Sequence, residues 1–400
     1  MNILYLANIR LPTEKAHGLQ IMKTCEALAD AGARVELIVP VRKNPIGADA
    51  FDYYRVARDF RITTVCTPDL VRFGPLGFLV SALWFSEKAR WLDAFRTADA
   101  IYSRDTLVLA QYLLLGRPFV FEAHTRPSFV SRIVARRAHK VIAISAGLRD
   151  AYARAGIAVG KIVIAQDAVD EHLFDGAPMR ADARAILGLS IGRRIALYAG
   201  HLYARKGADT LAQAAAALPE ILFIFVGGTD ADIAWFKARW GNAKNILVVG
   251  HVPHERIPIY LRAADLLVLP NSARNDDSAR YTSPMKLFEY MASGTPIIAS
   301  DVPSLREIVD ESLVYFFTPD DSQNLAECIE KVLGHPEQAN EKAQKTLRLA
   351  KTYSWDARAQ HILEFLHSAA QNVHSLRARA SEATHRITSR NTRTRDTRRR

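Results

Sequence analysis

Thirteen short runs rich in β-branched and aromatic residues recur along the chain, and most are followed by a longer stretch with helical spacing. This alternation predicts parallel β-sheets whose strands are joined by crossover helices. The first seven runs are NILYLAN, RVELIVP, ITTVCTP, AIYSR, FVFEAH, KVIAIS and KIVIAQDA, and the next six are RIALYAG, LFIFVGG, NILVVG, DLLVLP, PIIAS and SLVYFF. Because polar, irregular sequence separates the two sets at residues 171–192, we predict two facing, Rossmann-like, doubly wound α/β domains.

The length of the chain, 400 residues, exceeds what a single hydrophobic core usually supports. We predict an N-terminal domain over residues 1–172 and a C-terminal domain over 173–352. A C-terminal helix over 353–370 is expected to pack back on the first domain, and a disordered basic tail follows over 371–400. Two facing domains of this class place the carboxyl ends of both sheets, where ligands bind, on opposite sides of one cleft.

The net charge of +11 comes largely from the end of the chain. Residues 372–400 contain nine arginines against Glu382 and Asp396, and they contain few apolar side chains. This composition predicts disorder. A basic tail of this kind either binds an anionic partner or only raises solubility. Because no aromatic residues are interleaved with the basic ones, an anionic membrane is a better candidate partner than nucleic acid.

Cysteine usage and the N-terminal residues favour a cytoplasmic protein. The three cysteines are widely spaced and form neither a metal-binding pattern nor a disulfide framework. The opening residues MNILYLAN are typical of a β-strand and lack the features of a signal peptide. The segment FGPLGFLVSALWFS, residues 73–86, is too short to cross a bilayer. It is either a core helix or a patch that contacts the inner face of the plasma membrane.

The segment SPMKLFEYMASGTPIIASDVPSLREI, residues 283–308, predicts a helix, a strand and a second helix. Ser283 is the expected N-cap of a first helix that begins at Pro284. Ser304 and Glu307 have the spacing of a capping box, which predicts the start of the second helix.

The first of these helices has the features of a nucleotide site. The amides of Met285 and Lys286 at its start can bind a phosphate, because they are free and carry partial positive charge. The carboxylate of Glu289, about one turn further along, can accept hydrogen bonds from two hydroxyls, as in a ribose. The alternative for Glu289 is a solvated helix residue.

Other candidates lie where strands end or helices begin. Arg205 and Lys206 precede a predicted helix in YAGHLYARKGAD, where two cations suit a diphosphate, although a solvated basic loop would have the same pattern. His124 ends the strand FVFEAH, where it either bonds a substrate hydroxyl or has a structural role. Gly18, near the start of the first helix, either lets a phosphate approach the backbone or serves packing.

A metal site is not expected. Asp230 and Asp232 form the D-x-D spacing that holds a divalent cation in other enzymes, yet they follow VGGT at a predicted helix start. Helix capping explains them better than metal binding.

Taken together, GHLYARKGADTL and SPMKLFEYMASGTPIIASDVPSLREI closely resemble the motifs of the family-4 retaining glycosyltransferases of the GT-B architecture, also called glycosyltransferases group 1. The likeness extends over residues 1–368 through AHGLQI, FEAH, IAISAGL, DAVDEHLF and YSWDARA. The resemblance implies a hexosyltransferase that uses a UDP- or GDP-linked sugar. The C-terminal domain, residues 173–352, would be the nucleotide-sugar-binding domain, and the N-terminal domain, residues 1–172, would be the acceptor-side domain. It also implies retention of configuration without a cofactor, an obligatory protein nucleophile or a metal.

By the same resemblance, three residues have roles in catalysis: Lys206 binds the donor phosphate, Glu289 the ribose hydroxyls and His124 the sugar. The substrate-binding candidates are Gly18, His201, Arg205, Tyr281, Ser283, Met285, Lys286, Asp276 and Asp277.

Two positions depart from the family pattern. Tyr281 stands where an acid is expected, eight residues before Glu289, and His201 stands where an arginine usually follows the glycine of YAG. Asp276 or Asp277 can substitute for the missing acid. Because His201 replaces the usual arginine, phosphate binding then depends more on Arg205 and Lys206.

The apolar segment and the basic tail favour a glycan or lipid-linked acceptor, as in envelope polysaccharide or glycolipid synthesis. Two alternatives remain open. A nucleotide-sugar 2-epimerase of the same architecture needs acid and base groups around the sugar, and only Glu122 is available in the first domain. A non-catalytic nucleotide-sugar-binding protein would account for Tyr281 and His201.

Overall fold

The computed structural model describes residues 1–203 and 206–367, and within these ranges thirteen strands form two parallel sheets. The first sheet contains β1 (Asn2–Leu6), β2 (Arg34–Pro40), β3 (Arg61–Val65), β4 (Ala100–Ser103), β5 (Phe119–Ala123), β6 (Lys140–Ala143) and β7 (Ile162–Ile164). The second sheet contains β8 (Ile195–Ala199), β9 (Leu222–Val226), β10 (Ile246–Gly250), β11 (Leu266–Leu269), β12 (Ile297–Ser300) and β13 (Tyr315–Phe317). Each strand coincides with a run predicted from the sequence, so the predicted α/β class is confirmed. The predicted tail, residues 371–400, and Arg205 lie outside the described residues.

The strand orders are β3-β2-β1-β4-β5-β6-β7 and β10-β9-β8-β11-β12-β13. In both sheets the direction of winding reverses beside the first strand, between β1 and β4 and between β8 and β11. Open α/β sheets bind ligands at such reversals, outside the carboxyl ends of the strands. The two sheets therefore offer two ligand edges of the same kind.

Helices cover both faces of each sheet. Those of the first half are α1 (Ala16–Asp30), α2 (Ala50–Tyr54), α3 (Gly74–Arg90), α4 (Asp93–Thr97), α5 (Thr106–Ala110), α6 (Phe129–Arg137) and α7 (Ala146–Arg154). Those of the second half are α8 (Arg180–Ile186), α9 (Ala208–Ala217), α10 (Asp230–Trp240), α11 (Ile257–Ala263), α12 (Asp276–Arg280), α13 (Met285–Ser293), α14 (Pro303–Arg306), α15 (Ser322–Gly334) and α16 (Pro336–Ala350). A final helix, α17, covers residues 355–367.

The central strands are buried on both faces, as their continuous apolar runs require. In β1, Ile3 and Tyr5 contact the core beneath α1, whereas Leu4 and Leu6 contact the core on the opposite face. This division follows from the two-residue period of a strand.

The chain crosses between the sheets twice. Ala168 belongs to a core of the first sheet and Val169 to a core of the second, so we place the first crossing there, a few residues before the predicted boundary at residues 172–173. The backbone amide of Val169 donates to the carbonyl of Tyr353, at 2.9 Å, so the returning segment lies beside the outgoing one. After the return, α17 packs through Trp355 and Ile362 into the core of the first sheet.

The predicted capping box at α14 is wrong. Val302 precedes that helix, and no side chain caps it. The hydroxyl of Ser304 instead donates to the carbonyl of Ser278, at 3.1 Å, and Glu307 Oε2 accepts from the amide of Ala146, at 2.8 Å. Both side chains serve tertiary contacts, and Glu307 connects the second domain to the start of α7.

The apolar segment of residues 73–86 forms most of α3, which has two different faces. Phe85 is fully buried in the first domain, whereas Leu76 is 72% exposed and Trp84 is 49% exposed. Within residues 1–203 and 206–367, every helix is too short or too polar to cross a bilayer.

Candidate active site

The start of α13 lies where the second domain contacts the first. The helix begins at Met285, and Pro284 precedes it without a side-chain cap bond, so the predicted N-cap role of Ser283 is wrong. Ser283 Oγ instead accepts a hydrogen bond from the backbone amide of Asp167, at 2.8 Å. The side chain of Met285 packs against the core of the first sheet. With the hydroxyl bound elsewhere, the amides of Met285 and Lys286 are left for an external acceptor such as a phosphate, whereas that of Leu287 donates to the carbonyl of Pro284, at 2.8 Å.

A buried tyrosine fixes α13 to the central strand of the second sheet. The hydroxyl of Tyr290 accepts a hydrogen bond from the amide of Ala199, at 2.7 Å, where β8 ends. The start of α13 therefore lies beside the reversal between β8 and β11, where a ligand is expected.

The side chain of Lys286 extends under the end of β8. Its Nζ donates to the hydroxyl of Tyr198, at 2.9 Å, and lies 4.2 Å from the centre of that ring. A Cβ added to Gly200 would lie 2.9 Å from the same Nζ. Burial and then Lys206 lower the pKa of Lys286 well below its ordinary value, and Glu289 acts in the opposite direction. Among the described carboxylates, none lies within ion-pair distance of Lys286, so its charge lacks a direct counterion there.

Lys206 lies in the turn before α9, and its charge contributes to the lowered pKa of Lys286. Gly207, with φ of 73°, is the N-cap residue of that helix, and an added Cβ would lie 1.6 Å from the carbonyl oxygen of Pro270. The left-handed backbone and this close approach both require glycine. The turn therefore holds Lys206 at the start of α9, close enough to Lys286 to influence its charge.

The position that departs from the family pattern, His201, is held by its neighbours. Its ring stacks on Tyr203 with centroids 4.8 Å apart, and its Nδ1 lies 3.5 Å from Asp232 Oδ2. Burial lowers the pKa of His201, although Asp232 opposes that change. The imidazole is therefore a poor substitute for the permanent charge of an arginine.

The D-x-D pair has the capping geometry predicted for it. Thr229 is the N-cap of α10, and the side chain of Asp232 bonds back to the Thr229 amide, at 3.1 Å. Asp230 is the first residue of the helix. Across residues 1–203 and 206–367, no group of three His, Cys, Asp or Glu side chains is arranged to hold a metal ion.

Glu289 has a partner that the sequence did not indicate. Its Oε1 lies 2.7 Å from Nε2 of His254, in the turn after β10, and the Glu289 side chain is partly buried. The carboxylate is thus held in place and is not a freely solvated group. Its other oxygen, Oε2, remains for a ligand. Ribose binding by Glu289 stays a prediction.

The residues proposed to replace the missing acid lie at the boundary between the domains. Asp276 and Asp277 begin α12, at 4.0 Å and 3.7 Å from the guanidinium of Arg126 in the first domain. Tyr281 packs against a core of the first sheet. A Cβ on Gly147 would lie 2.0 Å from the carbonyl oxygen of Arg280, so α7 touches this segment closely. These contacts place all three candidates near the cleft, and their role in sugar recognition remains a prediction.

On the first-domain side, His124 follows β5 and is largely buried. Its Nε2 lies 2.6 Å from Oε1 of Glu122, which is completely buried. Burial, together with Arg104, lowers the pKa of His124 to about 4, although Glu122 opposes that change. The imidazole is therefore neutral at physiological pH and suited to hydrogen bonding with a substrate hydroxyl.

Packing accounts for the small residue at position 18. A Cβ on Gly18 would lie 2.0 Å from the hydroxyl of Tyr54, which itself bonds the backbone of Thr13. Contact of Gly18 with a phosphate stays a prediction. The preceding residue, His17, has a pKa lowered to about 4 by burial and then by the charges of Arg104 and Lys15.

Sequence reasoning missed three functional candidates: the side chain of Lys286, His254 and Arg358. It assigned only the amide of Lys286, and it did not consider His254 because the turn after β10 has no distinctive pattern. Arg358 had a detectable signal, since it is a charged residue on the otherwise apolar face of α17.

Two family models match the sequence. The model described as Glycosyltransferase Family 4 matches residues 18–173, and the model described as Glycosyl transferases group 1 matches residues 193–335. One match covers most of the first sheet and the other covers the second. The chain belongs to the group 1, family-4 glycosyltransferases. Its two-sheet architecture is the GT-B fold of this family.

Curated relatives of this glycosyltransferase are distant. A D-inositol 3-phosphate glycosyltransferase from Nocardia farcinica is 24% identical over 74% of this chain and 68% of its own length. A putative teichuronic acid biosynthesis glycosyltransferase, TuaH from Bacillus subtilis, is 23% identical over 51% of this chain and 50% of its own length.

Solved structures of low sequence identity share the fold. A sucrose-phosphate synthase from Thermosynechococcus elongatus superposes with a TM-score of 0.76, at 22% identity, over 93% of this chain and 99% of that one. Anabaena Alr3699/HepE in complex with UDP and glucose superposes with a TM-score of 0.71, at 20% identity, over 92% of this chain and 99% of that one.

Proposed function

We propose that this glycosyltransferase moves a hexose, with retention of configuration, from a UDP- or GDP-linked donor to a glycan or lipid-linked acceptor. The observation that carries the proposal is the buried side chain of Lys286 at the start of α13, with Lys206 near enough to lower its pKa and Glu289 one turn further along that helix. Two cations and free amides suit a diphosphate, and the adjacent carboxylate suits the hydroxyls of a ribose.

The proposed chemistry follows from where these charges lie. The bond between the anomeric carbon and the diphosphate oxygen breaks, and negative charge develops on that oxygen. Lys206, Lys286 and the α13 amides stabilise this charge, which is electrostatic catalysis at the leaving group. The acceptor oxygen forms the new bond on the same face, and its proton passes to the departing diphosphate. This route retains configuration without a protein nucleophile.

The first domain supplies the groups that contact the sugar and the acceptor in this proposal. A neutral His124, held by Glu122, can exchange a hydrogen bond with a hydroxyl without adding a charge to the site. Positioning of this kind can contribute several kcal/mol to a rate when the reacting atoms are held in contact.

The relatives support the choice of donor and acceptor. Alr3699/HepE was solved with UDP-glucose, which favours a UDP-linked sugar. TuaH and a second Bacillus subtilis relative, TuaC, are named as putative teichuronic acid biosynthesis glycosyltransferases. Synthesis of an envelope polysaccharide or a glycolipid is the corresponding role for this chain.

Catalysis without a metal is part of the proposal. Lys206 and Lys286 take the place that a divalent cation has in metal-dependent enzymes, and Asp230 and Asp232 serve the start of α10. Treatment with a chelator should therefore leave transfer unchanged. Loss of activity with chelator, restored by magnesium or manganese, would contradict this part of the proposal.

A lipid-linked acceptor would fit the exposed face of α3. Leu76, Leu79, Val80, Leu83 and Trp84 form an apolar stripe with exposures between 37% and 72%. Arg72 lies over the ring of Phe73, and Arg90 lies over that of Trp91, at the two ends of the helix. Apolar side chains flanked by basic ones are typical of a helix that lies in an anionic membrane interface. We propose peripheral contact of this kind at the inner face of the plasma membrane.

A thermal-shift panel of nucleoside diphosphates and their sugars tests the central proposal. A ligand that binds only the native state raises the melting temperature by mass action, so the donor is identified by selective stabilisation. We expect UDP or GDP, and one of their sugars, to stabilise the protein more than the matching monophosphates. The stabilising sugar nucleotide is then incubated with lipid-linked and soluble glycans, and the anomeric configuration of the product is determined by NMR. An inverted product would contradict retention, and the absence of stabilisation by any nucleotide would contradict the function.

A further inference from the structure

One buried charge on the C-terminal helix has no role in the function proposed so far. Arg358 lies on the face of α17 that carries Trp355, Ala359, Ile362 and Leu366, all of which belong to the core of the first sheet. Its side chain is only 4% exposed. A buried guanidinium is costly unless it is fully paired, and apolar side chains already dock this helix. Docking alone therefore does not explain an arginine at this position.

The guanidinium joins three separate parts of the first domain. Its Nη2 donates to Glu122 Oε1 at 3.1 Å, its Nη1 to Thr24 Oγ1 at 3.2 Å, and its Nε to the carbonyl of Gln166 at 2.9 Å. These partners lie in β5, in α1 and in the segment after β7. Arg358 thus connects β5, α1 and the segment after β7 through one guanidinium.

Four side chains form hydrogen bonds with Glu122, and those of Arg358, Gln20 and Tyr102 donate to it. Besides Arg358, its partners are Gln20 Nε2 at 2.7 Å, the Tyr102 hydroxyl and His124 Nε2. Burial raises the pKa of Glu122, but Arg358, His124 and Tyr102 outweigh that effect and hold the pKa below its usual range. The group is therefore a carboxylate, which accepts hydrogen bonds and cannot donate one.

An acceptor at Glu122 determines the tautomer of His124. Because Oε1 accepts, the proton of the neutral ring must lie on Nε2, 2.6 Å away. The other nitrogen, Nδ1, then carries a lone pair, and no described residue forms a hydrogen bond with it. It is available to a hydroxyl of the sugar or of the acceptor.

We propose that Arg358 is a positioning residue for glycosyl transfer, which keeps Glu122 as a carboxylate and thereby holds His124 as the Nε2–H tautomer with Nδ1 open to a substrate hydroxyl. This inference rests on the proposed function. Because Arg358 lies on α17, the sugar site of the first domain is ordered only when that helix is docked.

Other titratable groups face this cluster and belong in any test of it. They are Tyr5, His17, Cys25, Tyr102, Arg104 and Asp167. Burial raises the pKa of Asp167 to about 7, although Arg358 opposes that change. A pH profile around neutrality therefore includes Asp167, and the variants must be compared with each other as well as with the wild type.

The test compares Arg358→Met and Arg358→Lys with Arg184→Met. Arg184 is an equally buried arginine, 2.7 Å from Asp265 in the second domain, and it is remote from His124. Nitrogen NMR of histidine-labelled, full-length protein reports the tautomer and titration of His124, whose signal is identified by its loss in His124→Gln. Steady-state kinetics with the identified donor report kcat and KM separately.

We expect the wild type and Arg184→Met to show the Nε2–H tautomer at neutral pH. In Arg358→Met, the tautomers should mix or the ring should titrate nearer neutrality, and kcat should fall by roughly 10- to 100-fold with a smaller change in donor KM. Arg358→Lys, which keeps the charge, should recover part of the Nε2–H tautomer and part of kcat. This variant remains informative if the methionine variant does not fold. An unchanged tautomer in a folded Arg358 variant would overturn the inference. Absence of transfer by the wild type would overturn the proposed function, while the NMR result would still decide whether Arg358 controls His124.

Discussion

Lys286 Nζ lies 2.9 Å from the hydroxyl of Tyr198 and above the face of the same ring. An ammonium in this position loses its hydration shell. One hydrogen bond to a phenol hydroxyl and a cation–π contact only partly replace that hydration. Lys206 adds repulsion, so the arrangement disfavours the charge until an anion arrives. Residues in a site of this kind commonly trade stability for binding.

We expect Lys286→Met to melt at the same or a higher temperature than the wild type, since it removes a poorly solvated charge. Its affinity for the nucleoside diphosphate should fall by about 10- to 100-fold, because a hydrogen bond to a charged group contributes ~1.5–3 kcal/mol. Calorimetric titration and a thermal melt measure the two effects. The exposed Lys331 in α15 provides the control variant Lys331→Met. A large loss of stability with unchanged affinity would make Lys286 a structural residue.

The same lysine predicts a pH dependence of donor binding. Its pKa is lowered in the free protein, and a bound diphosphate should raise it again, so binding takes up protons at pH values between the lowered pKa and the raised one. The affinity of the wild type should therefore fall as pH rises through that range, and the affinity of Lys286→Met should fall less. Identical pH profiles would show that Lys286 does not bind the phosphate.

Glu289→Gln should weaken nucleotide binding by about 1–3 kcal/mol, because the amide loses one of the two acceptor oxygens. The loss should be much smaller for a nucleotide that lacks ribose hydroxyls, which separates this effect from a general disturbance of α13. Titration with ribonucleoside and 2′,3′-dideoxyribonucleoside diphosphates measures it, with the exposed Glu330→Gln as control. An equal loss for both nucleotides would mean that Glu289 only orders His254.

Glu307 should give the contact between domains a dependence on pH. Burial raises the pKa of Glu307 to about 7, against the pull of the amides of Ala146 and Gly147. An acid whose pKa is raised on folding stabilises the native state below its unfolded pKa, and this contribution is lost as pH rises. Relative to Glu307→Gln, the wild type should lose stability between about 4.5 and 7 and then remain level. Urea unfolding of both proteins across this range measures the difference, and parallel profiles would contradict it.

The exposed stripe of α3 and the basic tail predict two separable contributions to membrane binding. Attraction of a basic tail to anionic lipid is screened over roughly 8 Å at physiological salt, whereas inserted apolar side chains are insensitive to salt. Liposome flotation should therefore show that removal of residues 368–400 weakens binding mainly at low salt. The double variant Leu83→Ser and Trp84→Ser should weaken it at high salt as well. Failure of the full-length protein to float with anionic liposomes at low salt would exclude the membrane assignment.

The fold was predictable because its signals are local. Each strand of the two sheets is a short apolar run followed by a helix, and Gly207 marks a turn that only glycine can form. The position of Glu289 on α13 also followed from the start of that helix and the period of an α-helix.

Partners distant in sequence were not predictable. Ser283 has the local features of an N-cap, yet it bonds Asp167, which comes from the other domain, and a tertiary contact replaced the local one. Glu307 likewise bonds α7 instead of closing a capping box. The distance between Lys286 and Lys206 depends on how β8 and α13 pack, which sequence spacing does not encode.

The central claim is that Lys206 and Lys286 hold the donor diphosphate, and the preference for a diphosphate over a monophosphate tests it most directly. Calorimetric titration of the wild type, Lys206→Ala and the control Lys331→Ala with the matching nucleoside di- and monophosphates gives this preference as a ratio of affinities. We expect the wild type and the control to prefer the diphosphate, and we expect Lys206→Ala to lose most of that preference while its melting temperature stays close to that of the wild type. The same preference in all three proteins would contradict the account.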